Sequence, residues 1–294
     1  MIQSFPLGPT SLQYWSRTGA TLGDMTLRPI GVVRSDVKER RAIKSHGGSA
    51  AIELLPEFAP GLLHIEKHSH LWVMAWLDGA ERDVLQVIPR GAADRGPSGL
   101  HGVFATRSPA RPNPIGLTAA RVLHVDGLRI EVDRLDFTDG TPILDLKPYF
   151  TTRDMIFSAT NRAVGRPVNA EALREALLMQ AENYHGRLCA ELALAVRIVE
   201  HLRARFYALE EPPQWHVAAP LSRPCLLDAL IGMTRVSCGR GTLRLWGRDA
   251  VGFIQPDSLL QYELATIEPD MDFARILAAP ERALFAFWPA PKKR

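Results

Sequence analysis

The stretch LTAARVLHVDGLRIEVDRL, residues 117–135, decides the fold. Two runs rich in Val, Ile and Leu, 117–125 and 128–135, flank Asp126-Gly127. An Asp-Gly pair between alternating apolar runs is a strong local signal for an antiparallel hairpin. Outward from it, segments 27–34, 50–55, 71–77, 84–88 and 102–106 repeat the pattern: short, apolar or aromatic, and bounded by Gly, Pro, Asp or Ser. Strands this closely spaced leave little room for crossover helices, so the region reads as an all-β antiparallel barrel and not as a Rossmann-type βαβ sheet.

Composition allows a second domain. The chain has 294 residues, 46% hydrophobic and 23% charged, enough to bury a sizeable core. From Asn169 the pattern changes to helices: Asn169 is an N-cap for AEALREALLMQ, 184–207 continues as a long amphipathic helix stopped by Pro212-Pro213, and another helix is expected over 224–232. Strands at 242–246, 251–254 and 259–264 complete an α+β domain over 169–294. Residues 1–25 read as an extension without periodicity, 26–150 as the barrel and 151–168 as a linker.

The apolar run 71–77 is far short of the ~20 residues a membrane span requires, and the first 25 residues lack the basic start and apolar core of a signal peptide. A soluble cytoplasmic protein with no membrane association is expected. Its three cysteines, Cys189, Cys225 and Cys238, are odd in number and confined to the second half, which fits a reducing compartment better than a disulfide framework.

The formal net charge of +3 is too small to imply a polyanion partner, but its distribution is uneven. Between residues 26 and 48 stand Arg28, Arg34, Lys38, Arg40, Arg41 and Lys44 against Asp36 and Glu39. Such a segment suits RNA phosphates, with Arg40 and Arg41 at its centre, and equally suits a solvated charged loop. In HGVFATRSPARPNPIG, residues 101–116, three prolines restrict the backbone around Arg107, Ser108, Arg111 and Asn113. Donors held on so constrained a loop lose little freedom on binding, and Arg111 and Asn113 are candidate substrate contacts. In LDFTDGTPILDLKPY, residues 135–149, Gly140 removes a side chain and Pro142 a donor, which lets backbone approach a flat ligand closely.

These two blocks, with IGVVRSDVKERRAIKSHGG from Ile30 and HSHLWVMAWL from His68, closely resemble the TrmO-like (YaeB/TsaA) family of S-adenosylmethionine-dependent tRNA methyltransferases over roughly residues 26 to 150. The resemblance implies a non-Rossmann barrel that binds S-adenosyl-L-methionine, acts as a homodimer and methylates threonylcarbamoyladenosine beside the tRNA anticodon. It places cofactor contacts at His46, Gly47 and Gly48, at Asp78 and Gly79, at Arg107, at Leu117 and in the Asp139, Gly140, Thr141, Pro142 loop. Gly47 stands where the family usually has proline, and Asp78-Gly79 where it often has His-Gln. Arg107 offers a planar fork to the carboxylate of the methionine moiety. Asp136, Asp145 and Tyr149 are candidates for the base that takes the acceptor's proton. A small-molecule methyltransferase and a non-catalytic S-adenosylmethionine sensor remain open beside the tRNA enzyme.

YHGRLCAELALAVR from Tyr184 and CLLDALIGMTRVSCGRGTL from Cys225 faintly resemble the FmdE-type family of formylmethanofuran dehydrogenase proteins, whose typical patterns are HGHxCPGxxxGxR and CxxDAxQxxTGxxxGxG. Arg187 replaces the second histidine, Ala190-Glu191 replaces Pro-Gly and Ile231 replaces the glutamine. His185, Cys189 and Cys225 would supply three metal ligands at most, and only if they converge, so no metal is expected in this domain or at the strand pair His68 and His70.

Overall fold

The computed structural model describes residues 26–44, 46–92, 94–160, 164–254, 258–268 and 271–291, and the expected extension 1–25 lies outside them. The chain divides into two compact units. One holds the described part of Met1–Ala42 with Ser49–Asp78 and Ile115–Tyr149, and the other holds Ile43–Gly48, Gly79–Pro114 and the chain from Phe150 onward.

The first unit is a closed antiparallel barrel. Its strands are β1 (Gly31–Arg34), β2 (Gly48–Leu54), β3 (His70–Trp76), β6 (Ile115–Asp126), β7 (Arg129–Leu135) and β8 (Pro142–Pro148), in spatial order β1-β2-β7-β6-β3-β8. The β6–β7 hairpin pairs Asp126 with Arg129 around Gly127, whose φ of +55° is the left-handed conformation that glycine adopts without strain. Alternation does the rest: on β3, Leu71, Val73 and Ala75 are buried while His70, Trp72, Met74 and Trp76 face outward. With Val33, Ile52, Ile130, Val132 and Ile143 they fill the interior.

In the second unit, β4 (Gln86–Val87) and β5 (His101–Gly102) form a two-stranded ribbon. β5 is shorter than the run 102–106 suggests, because Val103–Ala105 turns into a 3-10 helix ahead of the proline-rich loop. Beyond it lie α1 (Thr151–Asp154), α2 (Ala170–His185), α3 (Ala190–Phe206), β9 (Val217–Pro220), α4 (Pro224–Thr234), β10 (Leu243–Trp246), β11 (Ala250–Ile254), β12 (Ser258–Leu264), α5 (Phe273–Ala278) and β13 (Phe285–Pro291). The sheet runs β10-β9-β11-β12-β13, with β9 and β10 parallel. Asn169 caps α2 as its sequence position predicts, its side chain accepting from the Ala172 amide at 2.8 Å.

The single helix expected over 184–207 is two. Gly186, at φ +85°, ends α2, and Cys189 caps α3 by accepting from the Leu192 amide. α3 is buried from Leu192 through Glu200. Its inward arginines are buried, and Arg197 donates to the carbonyls of Leu277 and Ala279 and Arg203 to those of Leu209 and Glu210. Among the described residues no helix is long and apolar enough to cross a membrane.

Candidate functional site

Strand pairing brings most of the expected cofactor contacts of the barrel to one end. Ala75 pairs with Gly116 and Ile143, Val32 with Pro142, and Arg34 with Ala51. The ends of β1, β3 and β7 therefore meet the beginnings of β2, β6 and β8. Asp78, Leu117, Asp136 and the Asp139–Pro142 loop all sit at this end.

The Asp139 loop is built from backbone upward. Gly140 has φ +76°, with nothing within 4 Å of where a Cβ would stand. Its amide donates to Val33 O at 2.8 Å, and the Asp139 amide donates to Val37 O at 2.8 Å, so the loop is laced to the chain leaving β1. Asp139 fixes it further: Oδ1 accepts from the Ser35 amide at 3.0 Å and Oδ2 from Lys38 Nζ at 2.7 Å. Those two donors, Lys38 first, hold the Asp139 carboxyl below its ordinary range. Thr141 is buried, and its hydroxyl donates to Thr138 O at 2.7 Å. Leu117, opposite Met74, and Ile115, opposite Trp76, leave 39% and 40% of their surface exposed. Apolar surface beside fixed polar groups fits a ligand with both a flat ring and hydroxyls.

The three candidate bases separate. Asp136 accepts a hydrogen bond from Thr118 Oγ1 at the same barrel end as the Asp139 loop. Asp145 lies on β8 opposite Met74, past a register shift, and is engaged by Lys147 Nζ at 2.6 Å and the Leu146 amide at 2.9 Å. Tyr149 follows the far end of β8, roughly 20 Å along the strand from Pro142 at ~3.3 Å per residue. There its ring packs on Trp72 at 5.5 Å between centroids and on His70 at 6.3 Å. Burial lowers the His70 pKa, in keeping with a packed side chain. Thr118 was not evident from sequence; the paired run 117–125 shows its strand but not its partner.

The remaining expected contacts lie on segments of the other unit. Gly47 has φ +76° and its amide donates to Lys44 O at 3.1 Å, which closes the turn at half-buried His46 and leads into Gly48. Gly79 has φ +69° with open space around it. In the proline-rich loop, Arg111 is a brace: its Nη1 faces the carbonyls of Thr106 at 3.4 Å and Ser108 at 3.3 Å, and its amide donates to Glu81 O. Arg82 Nε donates to Pro112 O at 3.1 Å. Arg107 and Asn113 are exposed on the frame so built.

The basic segment is largely neutralised. Arg28 pairs with Glu57, Arg34 with Glu53, Lys38 with Asp139 and Lys44 with Glu175. Arg40 and Arg41, exposed in a 3-10 turn spanning Arg40–Ala42, have no carboxylate partner among the described residues.

In the second unit, His185, Cys189 and Cys225 converge, with their ligand atoms within 4.8 Å of one another. His185 Nδ1 is 3.1 Å from Asp228 Oδ2, and its Nε2 is 3.5 Å from Cys189 Sγ. Burial raises the Cys189 thiol pKa. Asp228, three residues after Cys225 on α4, is one helical turn along and was legible only as part of the CxxD pattern.

A closed six-stranded antiparallel barrel with a glycine-marked, partly apolar mouth defines a non-Rossmann ligand-binding domain. The family model "tRNA-methyltransferase O N-terminal domain" matches residues 34–155, and the model "FmdE, Molybdenum formylmethanofuran dehydrogenase operon" matches 184–275. A probable S-adenosyl-L-methionine-binding protein of Archaeoglobus fulgidus is 37% identical over 74% of this chain and 60% of its own length. Another, from Methanothermobacter thermautotrophicus, is 39% identical over 45% of this chain and 96% of its own length. The tRNA (adenine(37)-N6)-methyltransferase of Escherichia coli is 35% identical over 41% of this chain and 55% of its own length. The chain thus spans little more than half the length of the first and third of these relatives. It belongs to the TrmO family of S-adenosyl-L-methionine-dependent methyltransferases.

Proposed function

We propose that this protein transfers the methyl group of S-adenosyl-L-methionine to N6 of an adenosine in tRNA, with the threonylcarbamoylated adenosine beside the anticodon as acceptor. The observation that carries this reading is the convergence of Asp78, Leu117, Asp136 and the Asp139–Pro142 loop at one barrel end. It is supported by the Escherichia coli relative, whose name states the tRNA adenine-N6 reaction.

Bound S-adenosyl-L-methionine would supply a methyl group on a sulfonium, with S-adenosylhomocysteine as the leaving group, a chemistry that needs no metal. Ile115 and Leu117 would offer apolar surface to the adenine and Asp78 would accept hydrogen bonds from hydroxyl or ammonium groups, while the family resemblance assigns the carboxylate to Arg107. Gly79 and Gly140 keep the backbone open for close approach. Asp136 receives the proton leaving the acceptor nitrogen, which is acidified by its position between a purine and a carbamoyl group. Of the three candidate bases it is assigned this role because it shares the barrel end with the Asp139 loop, whereas Asp145 is paired with Lys147 and Tyr149 follows the opposite end of β8. Most of the acceleration comes from positioning. Arg40, Arg41, Arg111 and Asn113 contact the RNA, Arg111 also holding the loop of Asn113 in shape, and the working form is a cytoplasmic homodimer.

The test is to incubate the protein with labelled cofactor and bulk tRNA from a strain lacking this modification, then digest the RNA and identify the labelled nucleoside. Label on an N6-methylated threonylcarbamoyladenosine is expected. Cofactor binding with no label on RNA would overturn the tRNA reading and favour a sensor or a small-molecule enzyme.

A further inference from the structure

We infer that His185, Cys189 and Cys225 form a binding site for a thiophilic divalent cation, with zinc the best fit, in the second unit. The three ligands come from three separate helix ends: His185 is the last residue of α2, Cys189 the N-cap of α3 and Cys225 the second residue of α4. Their ligand atoms nevertheless lie within 4.8 Å of one another. In a tetrahedral zinc site with Zn–S of ~2.3 Å and Zn–N of ~2.0 Å, neighbouring ligand atoms stand roughly 3.5 Å apart. The Cys189 Sγ to His185 Nε2 separation is 3.5 Å, so little movement is needed to admit the ion.

Asp228 gives an independent pointer. A carboxylate can only accept, so the Nδ1 that faces Asp228 Oδ2 at 3.1 Å carries the imidazole proton. That leaves the Nε2 lone pair directed toward Cys189 Sγ. A carboxylate that fixes the tautomer of a histidine and turns its other nitrogen toward thiols is the outer-shell arrangement of zinc-binding histidines. Asp228 is half-buried beside a buried His185 side chain, which holds the pair in place.

Helix packing pre-sets the geometry. A Cβ at Gly232 on α4 would stand 2.7 Å from Gln180 O and 2.8 Å from Tyr184 Cβ on α2, so the missing side chain lets the two ligand-bearing helices close together. Gly186, at φ +85°, then reverses the chain quickly enough for Cys189 to return beside His185. Departures from the FmdE-type pattern at Arg187 and Ala190-Glu191 leave this trio intact. Two thiols and one imidazole leave one tetrahedral position unfilled by protein, and soft sulfur donors select zinc over the hard alkaline-earth ions. Binding proceeds with loss of one proton from each thiol, so that a zinc dithiolate forms and two protons pass to solvent.

The experiment uses the full untagged chain, stripped with chelator under reducing conditions and then titrated with zinc alone and, separately, with cobalt(II) as a spectroscopic substitute. One equivalent of zinc and thiolate-to-cobalt charge-transfer absorption are expected. Both should disappear in Cys189→Ser, Cys225→Ser, and Asp228→Asn, which leaves every ligand in place, should weaken zinc binding about 10–100-fold. Circular dichroism on each variant separates loss of the site from loss of the fold. Absence of stoichiometric zinc in the folded, fully reduced protein would overturn the assignment. So would binding unchanged in the folded double variant.

Discussion

Lys38 Nζ lies 2.7 Å from Asp139 Oδ2, so the loop that leaves β1 is tied by an ion pair to the loop that enters β8. A lysine that reads in sequence as part of a basic track is therefore spent on positioning a candidate cofactor loop. Asp139→Asn keeps the size of the side chain and removes its charge. Because Lys38 is exposed and such pairs are screened by water, thermal stability should change little. Affinity for S-adenosylhomocysteine should fall about tenfold as the loop loosens. Differential scanning fluorimetry and calorimetric titration on the same variant measure the two effects.

The same contact has a pH signature. Folding lowers the Asp139 pKa, so its stabilising contribution is complete above the unfolded carboxylate value of about 3.9 and is lost as pH falls through the lower folded value. The Gly140 amide resonance, followed by NMR on acidification, should move in that window. In Lys38→Ala the midpoint should shift to higher pH, and an unmoved midpoint would remove Lys38 as the cause.

Arg40 and Arg41 give the RNA reading a quantitative test. With the other basic side chains of their segment paired to carboxylates, these two carry its unpaired positive charge among the described residues. If each meets one phosphate, replacing both by alanine should reduce the slope of log affinity against log salt by roughly 1.4–1.8. Cofactor affinity should be unchanged. Filter binding to tRNA across a salt series reads the slope directly.

In the proline-rich loop, Arg107→Ala and Arg111→Ala should both weaken cofactor binding, for different reasons. Arg107→Ala removes the proposed charge-assisted contact to the cofactor carboxylate and should cost tenfold or more in affinity, on the order of 1.5–3 kcal/mol. Arg111→Ala removes the brace on the Thr106 and Ser108 carbonyls and should also speed amide exchange there. Exchange at Thr106 and Ser108 unchanged in Arg111→Ala would show that Arg111 is not the brace.

Gly116 tests the packing beneath the barrel mouth. A Cβ there would stand 2.5 Å from Phe137 Cε1 and 3.1 Å from Leu77 Cδ2, and Phe137 is buried. Gly116→Ala should destabilise the barrel by roughly 1–3 kcal/mol in chemical denaturation, the usual cost of overpacking.

The barrel was legible because apolar runs recur between turn residues, with clean alternation on β3, and because Asp126-Gly127 sets the hairpin register. What sequence could not supply was pairing between distant strands, which alone puts Asp136 at the Asp139 end and Tyr149 at the other. The strand Val217–Pro220 is not legible in sequence because all four residues are buried and show no alternation. Phe285–Pro291 carries two prolines, tolerated because β13 is an edge strand. The 184–207 segment read as one helix because its apolar period runs through Gly186, and only the left-handed cap there reveals the break. The bonds of Arg111 to the Thr106 and Ser108 carbonyls were not legible, because a guanidinium's use as an internal brace depends on where carbonyls 3 to 5 residues away point.

The central claim is that the barrel end bounded by Asp78, Leu117 and the Asp139–Pro142 loop receives the cofactor. A crystal structure of the protein with saturating S-adenosylhomocysteine tests it most directly. The account predicts ligand density against Leu117 and the Gly140 backbone, with Asp136 facing the sulfur side of the ligand. Density seated elsewhere on the molecule, with that barrel end empty, would contradict it.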